Sequence, residues 1–328
     1  MGQPTIPPTP PDIDLSGKTI IITGGNSGVG FRATREFLVL GASRLILAVR
    51  SPARGHDAVS ALMADPAVKE VNPEAVVEAF ELDLDDYKSG ERFCQRVKSE
   101  VKELDVLVNN AGIVDLKYHK SMSGHERTFQ VHCYTHLLIS LSLLPLLRRT
   151  ARLRNQPTHI SWVSSGTSAT HSFAKRPIPA GSSVLAHLDD ELNFDYMTRY
   201  SDNKFVANLL VRRLAAAVSP SEVIINSFCP GFLKPTGIDK SLPSWLGLVI
   251  GMTRRFKGRD VDGGARTFVY AAAVANQKTH GKFLQHNQVD DKACAWLDEA
   301  IGQDFSDRLW VEIMADMSRI DPDLSSLA

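Results

Sequence analysis

Lys18-Thr19-Ile20-Ile21-Ile22-Thr23-Gly24-Gly25-Asn26-Ser27-Gly28-Val29-Gly30 is the stretch whose reading decides the fold. Lys18 to Thr23 is a short β-branched run that suits a buried strand, and a helical pattern begins at Phe31 and continues to Leu40. Between them, Gly24, Gly25, Gly28 and Gly30, interleaved with Asn26, Ser27 and Val29, let the backbone come close to a bound anion. The N-terminal amides and dipole of the next helix favour that negative charge. Gly28, Gly30 and Ala33 also fit the spacing GxGxxA, in which a small third residue permits close packing of helix on sheet. A strand, a glycine turn and a helix in this order predict a pyrophosphate site at the first β-to-α junction.

Outward from this turn, short apolar runs alternate with longer helical stretches. The predicted strands are Lys18 to Thr23, Arg44 to Val49, Val76 to Leu82, Asp105 to Asn109, Thr158 to Ser164, Val223 to Phe228 and Lys282 to Gln285. Helices between successive strands make the sheet parallel, with right-handed crossovers. The expected architecture is α/β: a single doubly wound domain over residues 17–328, with a seven-stranded parallel sheet flanked by helices. Before it, Pro4, Pro7, Pro8, Pro10 and Pro11 predict a flexible, extended leader over residues 1–16.

The 328 residues include 37 Lys plus Arg and 37 Asp plus Glu, a balance that offers no electrostatic drive towards nucleic acid. Cys94, Cys133, Cys229 and Cys294 are scattered without a CxxC pair, which argues against a disulfide framework or a zinc site and suits a reducing compartment. No basic n-region precedes an apolar core, and no uninterrupted apolar run reaches the roughly 18 residues of a spanning helix, so the expected location is cytoplasmic.

Two further patterns carry chemistry. The second strand ends Ala48-Val49-Arg50-Ser51, where a dinucleotide fold usually places a carboxylate for the ribose hydroxyls. Arg50 in its place favours a 2′-phosphate, hence NADP (NADPH) over NAD. Tyr200 and Lys204 stand four apart and share a helix face, which brings an ammonium beside a phenol. A cation that close lowers an acid's pKa by about 1 to 3 units, help that a Tyr needs for proton transfer near neutrality.

Together with the glycine turn, Asn109-Asn110-Ala111-Gly112, Ser164-Ser165, the Tyr200/Lys204 pair and Pro230-Gly231 occur in an order that resembles the short-chain dehydrogenase/reductases. The resemblance covers residues 18 to about 316 and implies a Rossmann-type fold. It is nearest to longer members that act on bulky hydrophobic carbonyls, including retinol-dehydrogenase-like and fungal secondary-metabolism enzymes. It implies that Ser165, with Ser164 as the neighbouring alternative, polarises a carbonyl, that Tyr200 supplies the proton, and that Lys204 assists Tyr200 and holds the nicotinamide ribose. Two positioned hydroxyl donors stabilise the charge that builds on the carbonyl oxygen. By the same resemblance Asp83 and Leu84 contact adenine, Asn110, Ala111 and Gly112 support the ribose and the central strand, and Pro230, Gly231 and Thr236 flank the nicotinamide. Pro235 stands where the family often has Thr, and Thr236 comes one residue late.

The resemblance breaks at His132, in Phe129-Gln130-Val131-His132, where the family usually has an Asn that bends the helix and holds a relay water through its carbonyl. His132 keeps the carbonyl but brings a larger ring that can titrate. The relay then survives, shifts its pH dependence or is lost. His132 and His136 have a metal-like spacing but no third ligand, and no metal is expected.

Ser165 and Tyr200 are separated by 35 positions containing His171, Phe173 and the polar stretch Asp189 to Asn193, expected to form a long loop beside the substrate. The apolar run from Leu242 to Met252 implies, through the resemblance, a lid at about 235–260, and an apolar lid suits a hydrophobic small-molecule substrate. Arg254, Arg255, Lys257 and Arg259 behind it give a rival reading as a peripheral membrane contact. Trp296 and Trp310 are expected in the core or in a homodimer interface. The leading expectation is an NADPH-dependent reductase. The alternative is a redox-neutral isomerase, cyclase or non-catalytic scaffold on the same fold.

Overall fold

The computed structural model describes residues 3–234 and 258–327. All seven predicted strands are present: β1 Thr19–Thr23, β2 Arg44–Val49, β3 Val76–Glu81, β4 Val106–Asn109, β5 Thr158–Val163, β6 Val223–Cys229 and β7 Phe283–Gln285. A short eighth strand, β8 Gln288–Val289, folds back antiparallel on β7 through His286 and Asn287, both at positive φ. Its two residues are too few to show a period-2 pattern. The sheet order is β3-β2-β1-β4-β5-β6-β7-β8, and every pairing from β3 through β7 is parallel. The chain therefore reverses its direction of growth between β1 and β4, where open α/β sheets leave a crevice for ligands.

Helices α1 Gly28–Val39, α2 Pro52–Ala64, α3 Pro66–Val71 and α4 Tyr87–Glu100 connect the first half. The continuous helix α5, Arg127–Arg154, is 28 residues long and apolar enough by length and composition to cross a membrane. Its leucines are interrupted by Ser, Thr and His, so the run did not stand out in the sequence. Yet 94% of its most apolar window is buried within the protein, which makes it a core helix here. Behind it come α6 Val184–Asp189, α7 Arg199–Ala216, α8 Val261–Val269 and α9 Ala300–Met317. Two apolar layers sandwich the sheet: one includes Leu138, Trp162, Phe205 and Ile313, the other Phe37, Leu47, Val108 and Phe268.

The leader has neither helix nor strand over residues 3–14, as its prolines require. It nonetheless packs on the domain: Ile6 is 2% exposed and Leu15 5%. A proline-rich composition predicts extension, and the apolar anchors between the prolines decide that the extended chain adheres.

Candidate active site

At the switch point Gly24, Asn26, Arg50, Asp83, Leu84, Ala111 and Gly112 line one cleft of about 110 Å³, so seven of the expected cofactor residues share a single surface. Gly24 and Gly28 adopt positive φ, which only glycine takes without strain. A methyl group on Gly30 would lie 2.6 Å from Asn110 Nδ2 and 2.9 Å from Gly24 O, so the turn closes only because that position is bare. Ser27 is the N-cap of α1, and its side chain forms no cap hydrogen bond. Val29 is turned towards α8, where a methyl on Gly264 would meet its Cγ2 at 3.2 Å, so it offers a backbone amide and not a side chain to the cleft. Arg50 is exposed and has no ion pair among the described residues. A glycine cradle at a helix N-terminus with an unpaired guanidinium at the far end fits a phosphorylated dinucleotide.

Asp85, Ile113, Arg127 and Val131 line the same cleft and escaped the sequence reading. Arg127 reaches Asp85 Oδ1 at 3.2 Å and Asp115 Oδ2 at 3.5 Å, and burial raises the Asp85 pKa. Only the fact that α5 starts against the ends of β3 and β4 puts them there. The spacing of these residues carries no such signal.

A buried polar chain runs under the cleft. Thr23 Oγ1 accepts the amides of Asn110 at 2.8 Å and Ala111 at 2.9 Å, and Asn110 Nδ2 donates to Thr23 O at 2.7 Å. With both acceptor sites filled, the Thr23 hydroxyl donates to His136 Nε2, 3.0 Å away. His136 then carries its proton on Nδ1, 3.3 Å from the carbonyl oxygen of His132. Burial lowers the His136 pKa to about 3 and keeps this tautomer neutral.

His132 lies within a π-helical turn, Gln130–Tyr134, so the bend expected of Asn at this position forms with His as well. Burial first, and then the Lys204 charge, push the pKa of its ring well below the usual range. Nε2 lies 2.7 Å from Ile113 O and 3.1 Å from Ile113 N, and the shorter contact makes it the donor to the carbonyl. Nδ1 remains a buried acceptor without a partner. The ring rests on Gly112, where a methyl would meet His132 Cε1 at 2.5 Å, and stands edge-to-face to Tyr200 with centroids 6.2 Å apart.

Tyr200 and Lys204 sit in the first turns of α7, as their spacing predicts. Lys204 is 4% exposed, its Nζ donates to Val163 O at 2.9 Å, and the ammonium lies 5.7 Å from the Tyr200 ring centroid. Burial pulls its pKa down to about 8. Ser164 is 2% exposed, and its hydroxyl donates to Lys204 O at 3.1 Å, so it is committed to fixing α7. Ser165 is half-buried and caps the following 3₁₀ turn, accepting from Thr167 N at 3.3 Å and Thr167 Oγ1 at 3.0 Å, with its own proton left to donate. The site thus separates the two serines: the first is structural, and the second faces the edge of the sheet.

Several expectations change. The segment between Ser165 and Tyr200 is not a long open loop: it contains a 3₁₀ turn, Gly166–Thr170, and α6. His171 stacks on Phe205 with centroids 3.7 Å apart, and Phe173 packs on Phe305 and Trp296, so these side chains are core and not pocket. Trp296 and Trp310 are 8% and 7% exposed, both buried within this chain. Arg259 is also buried, at 8% exposed, which removes it from any surface patch. Pro230 and Gly231 follow directly on β6 and pack against Arg259. Thr236, the lid segment up to residue 257, and Arg254, Arg255 and Lys257 lie outside the described residues.

Comparison with known proteins agrees with this fold. A family model described as short chain dehydrogenase matches residues 18–177. The chain is 58% identical over 297 residues to the short chain dehydrogenase sor7 of Hypocrea jecorina, covering 90% of this chain and 82% of that one. It is 38% identical over 319 residues to the short chain dehydrogenase yanD of Aspergillus niger, covering 97% and 96%. Among solved structures, a Pseudomonas aeruginosa RhlG/NADP active-site complex superposes with a TM-score of 0.62 at 20% identity, covering 84% and 97%. L-sorbose reductase from Gluconobacter frateurii, complexed with NADPH and L-sorbose, superposes with a TM-score of 0.60 at 20% identity, covering 84% and 96%. The identity to the two fungal relatives across nearly the whole domain places this chain in the short-chain dehydrogenase/reductase family of oxidoreductases.

Proposed function

We propose that this oxidoreductase uses NADPH to interconvert a carbonyl and an alcohol on a bulky hydrophobic substrate, with Ser165, Tyr200 and Lys204 as its catalytic residues. The observation that carries the proposal is the buried Lys204 ammonium, held against Tyr200 and on the carbonyl of Val163, which ends β5 two residues before Ser165. An ammonium has three donors, and Val163 takes one, which leaves others for a ribose hydroxyl. Bound NADPH supplies the hydride. Tyr200 supplies the proton to the carbonyl oxygen, and Ser165 holds that oxygen through a hydrogen bond that strengthens as negative charge develops.

NADP is supported by the unpaired Arg50 and by the absence of an acid in its place, and NADP or NADPH complexes among the structural neighbours are consistent with it. The substrate class is supported by exposed apolar side chains just ahead of α7: Leu192, Tyr196 and Met197 are 92%, 55% and 72% exposed, within eight residues of Tyr200 in the sequence. A cytoplasmic setting in fungal secondary metabolism belongs to the same proposal. The test is to mix purified protein with NADPH or NADH and a panel of aliphatic and aromatic ketones and aldehydes, following absorbance of the reduced nicotinamide. Turnover with NADPH and apolar ketones is expected. Tight NADPH binding without turnover of any carbonyl would instead support a redox-neutral or scaffold role.

A further inference from the structure

The leader and Arg259 meet at the exit of β6. The Arg259 guanidinium donates through Nη1 to Pro230 O at 2.9 Å and through Nη2 to Pro4 O at 2.9 Å, and Nη2 lies 2.9 Å from His286 Nδ1. No carboxylate forms an ion pair with it among the described residues, and its buried charge is spread over acceptors from the leader, the β6 exit and the β7–β8 turn. The main chain of Arg259 joins the same place, with its amide donating to Phe232 O at 2.8 Å and its carbonyl accepting from Lys234 N at 2.9 Å.

From the other side, the Gln3 amide grips Phe232 in both directions. Nε2 donates to Phe232 O at 2.7 Å, and Oε1 accepts from Phe232 N at 2.8 Å. Gly231, at φ +92°, is enclosed between the two, since a methyl there would lie 2.6 Å from Arg259 Nη1 and 2.7 Å from Gln3 Oε1. The turn held by His286 also touches the catalytic edge: Gln285 packs on Gly166, where a methyl would lie 2.6 Å from its Oε1, and Gly166 follows Ser165.

We propose that Gln3, Pro4 and Arg259 are a positioning device for the cofactor site, which makes the N-terminal leader a working part of that site. They fix the backbone of Pro230 to Phe232 and the β7–β8 turn, and through Gln285 the start of the segment after Ser165. The proposal rests on the cofactor reading above. The Gln3 clamp is the separable part, because the side chain lies on the protein surface and its removal leaves the buried Ile6 anchor in place.

The experiment uses the full chain with Gln3→Ala and, separately, Arg259→Lys, which keeps the charge but loses the planar fork. Dissociation constants for NADPH are measured by fluorescence titration, deuterium uptake is followed in peptides covering residues 230–234, and melting temperature serves as the control for folding. Losing both Gln3 hydrogen bonds is expected to weaken NADPH about tenfold and to raise uptake at 230–234, with the melting temperature almost unchanged. Arg259→Lys should do the same more strongly. Affinity and uptake in Gln3→Ala equal to those of the unaltered chain would overturn the proposal. If the unaltered chain binds neither NADPH nor NADH, the cofactor reading fails, and the positioning claim stands or falls on the uptake at 230–234 alone.

Discussion

Arg50 is the side chain on which the proposed choice between two cofactors rests. It stands at the end of β2, exposed and without an ion pair among the described residues, while the cleft beside it is lined by Asp83 and Asp85 at the end of β3. A 2′-phosphate would satisfy the guanidinium, whereas a bare ribose would leave it solvated. Arg50→Asp should therefore weaken NADPH binding by about 10- to 100-fold, the worth of a hydrogen bond to a charged group, and leave NADH little changed or improved. Competitive titration of the two cofactors measures the ratio, and an unchanged ratio removes Arg50 from the site. The candidate residues that the structure brings into one cleft were legible at this scale because each has a local reason: glycines where Cβ would collide, and a cation where an acid is expected. His132 was legible as a departure but not in its consequence. Its neutral ring follows from burial, which no single residue type announces.

At the scale of elements, the structure ties three separate segments through His125, at the entry to α5. Nδ1 lies 2.7 Å from Asp189 Oδ2 at the end of α6, and Nε2 lies 2.9 Å from Asp316 Oδ2 in α9. Tyr87 and Tyr134 pack edge-on against the ring with centroids 5.6 Å and 5.2 Å away. Burial opposes protonation, but the two carboxylates prevail and raise the pKa to about 9. A raised folded pKa stabilises the fold fully below the unfolded value near ~6.5 and ceases to do so as pH climbs through about 9. Urea unfolding between pH 6 and 10 should therefore show a loss on the order of 3 kcal/mol that is missing from His125→Gln. The difference between the two proteins isolates His125 from Lys204, whose lowered pKa acts in the opposite sense, its burial penalty being relieved as pH rises above about 8. A parallel pH dependence in both proteins would show that this cluster is not charged. The sequence named Asp189 only as part of a polar loop and did not single out His125 or Asp316, because 64 and 191 residues separate them from His125 and only the tertiary fold brings them together.

Over the whole molecule, the doubly wound sheet was readable because each strand is a short apolar run bounded by turn residues, and seven runs alternate with helices in one register. What escaped was set by long-range packing. The leader's composition speaks for extension but says nothing of Ile6 finding an apolar seat. Arg259, read with its basic neighbours as a surface cation, is buried because three carbonyl and imidazole acceptors from distant segments converge on it. The segment between Ser165 and Tyr200, long enough to suggest an open loop, is closed by aromatic packing of His171 and Phe173 on α7 and the C-terminal helices. The edge that carries Ser165 and Tyr200 is therefore framed by packed elements.

That framing makes Tyr200 the place where the functional account is most exposed. The decisive measurement is single-turnover oxidation of NADPH by Tyr200→Phe beside the unaltered chain, with an apolar ketone that the unaltered chain reduces, and with NADPH affinity titrated in both. The account predicts near-equal NADPH affinity and a rate lowered by about 10²- to 10⁴-fold, the contribution of a positioned proton donor. Undiminished turnover by Tyr200→Phe would contradict it.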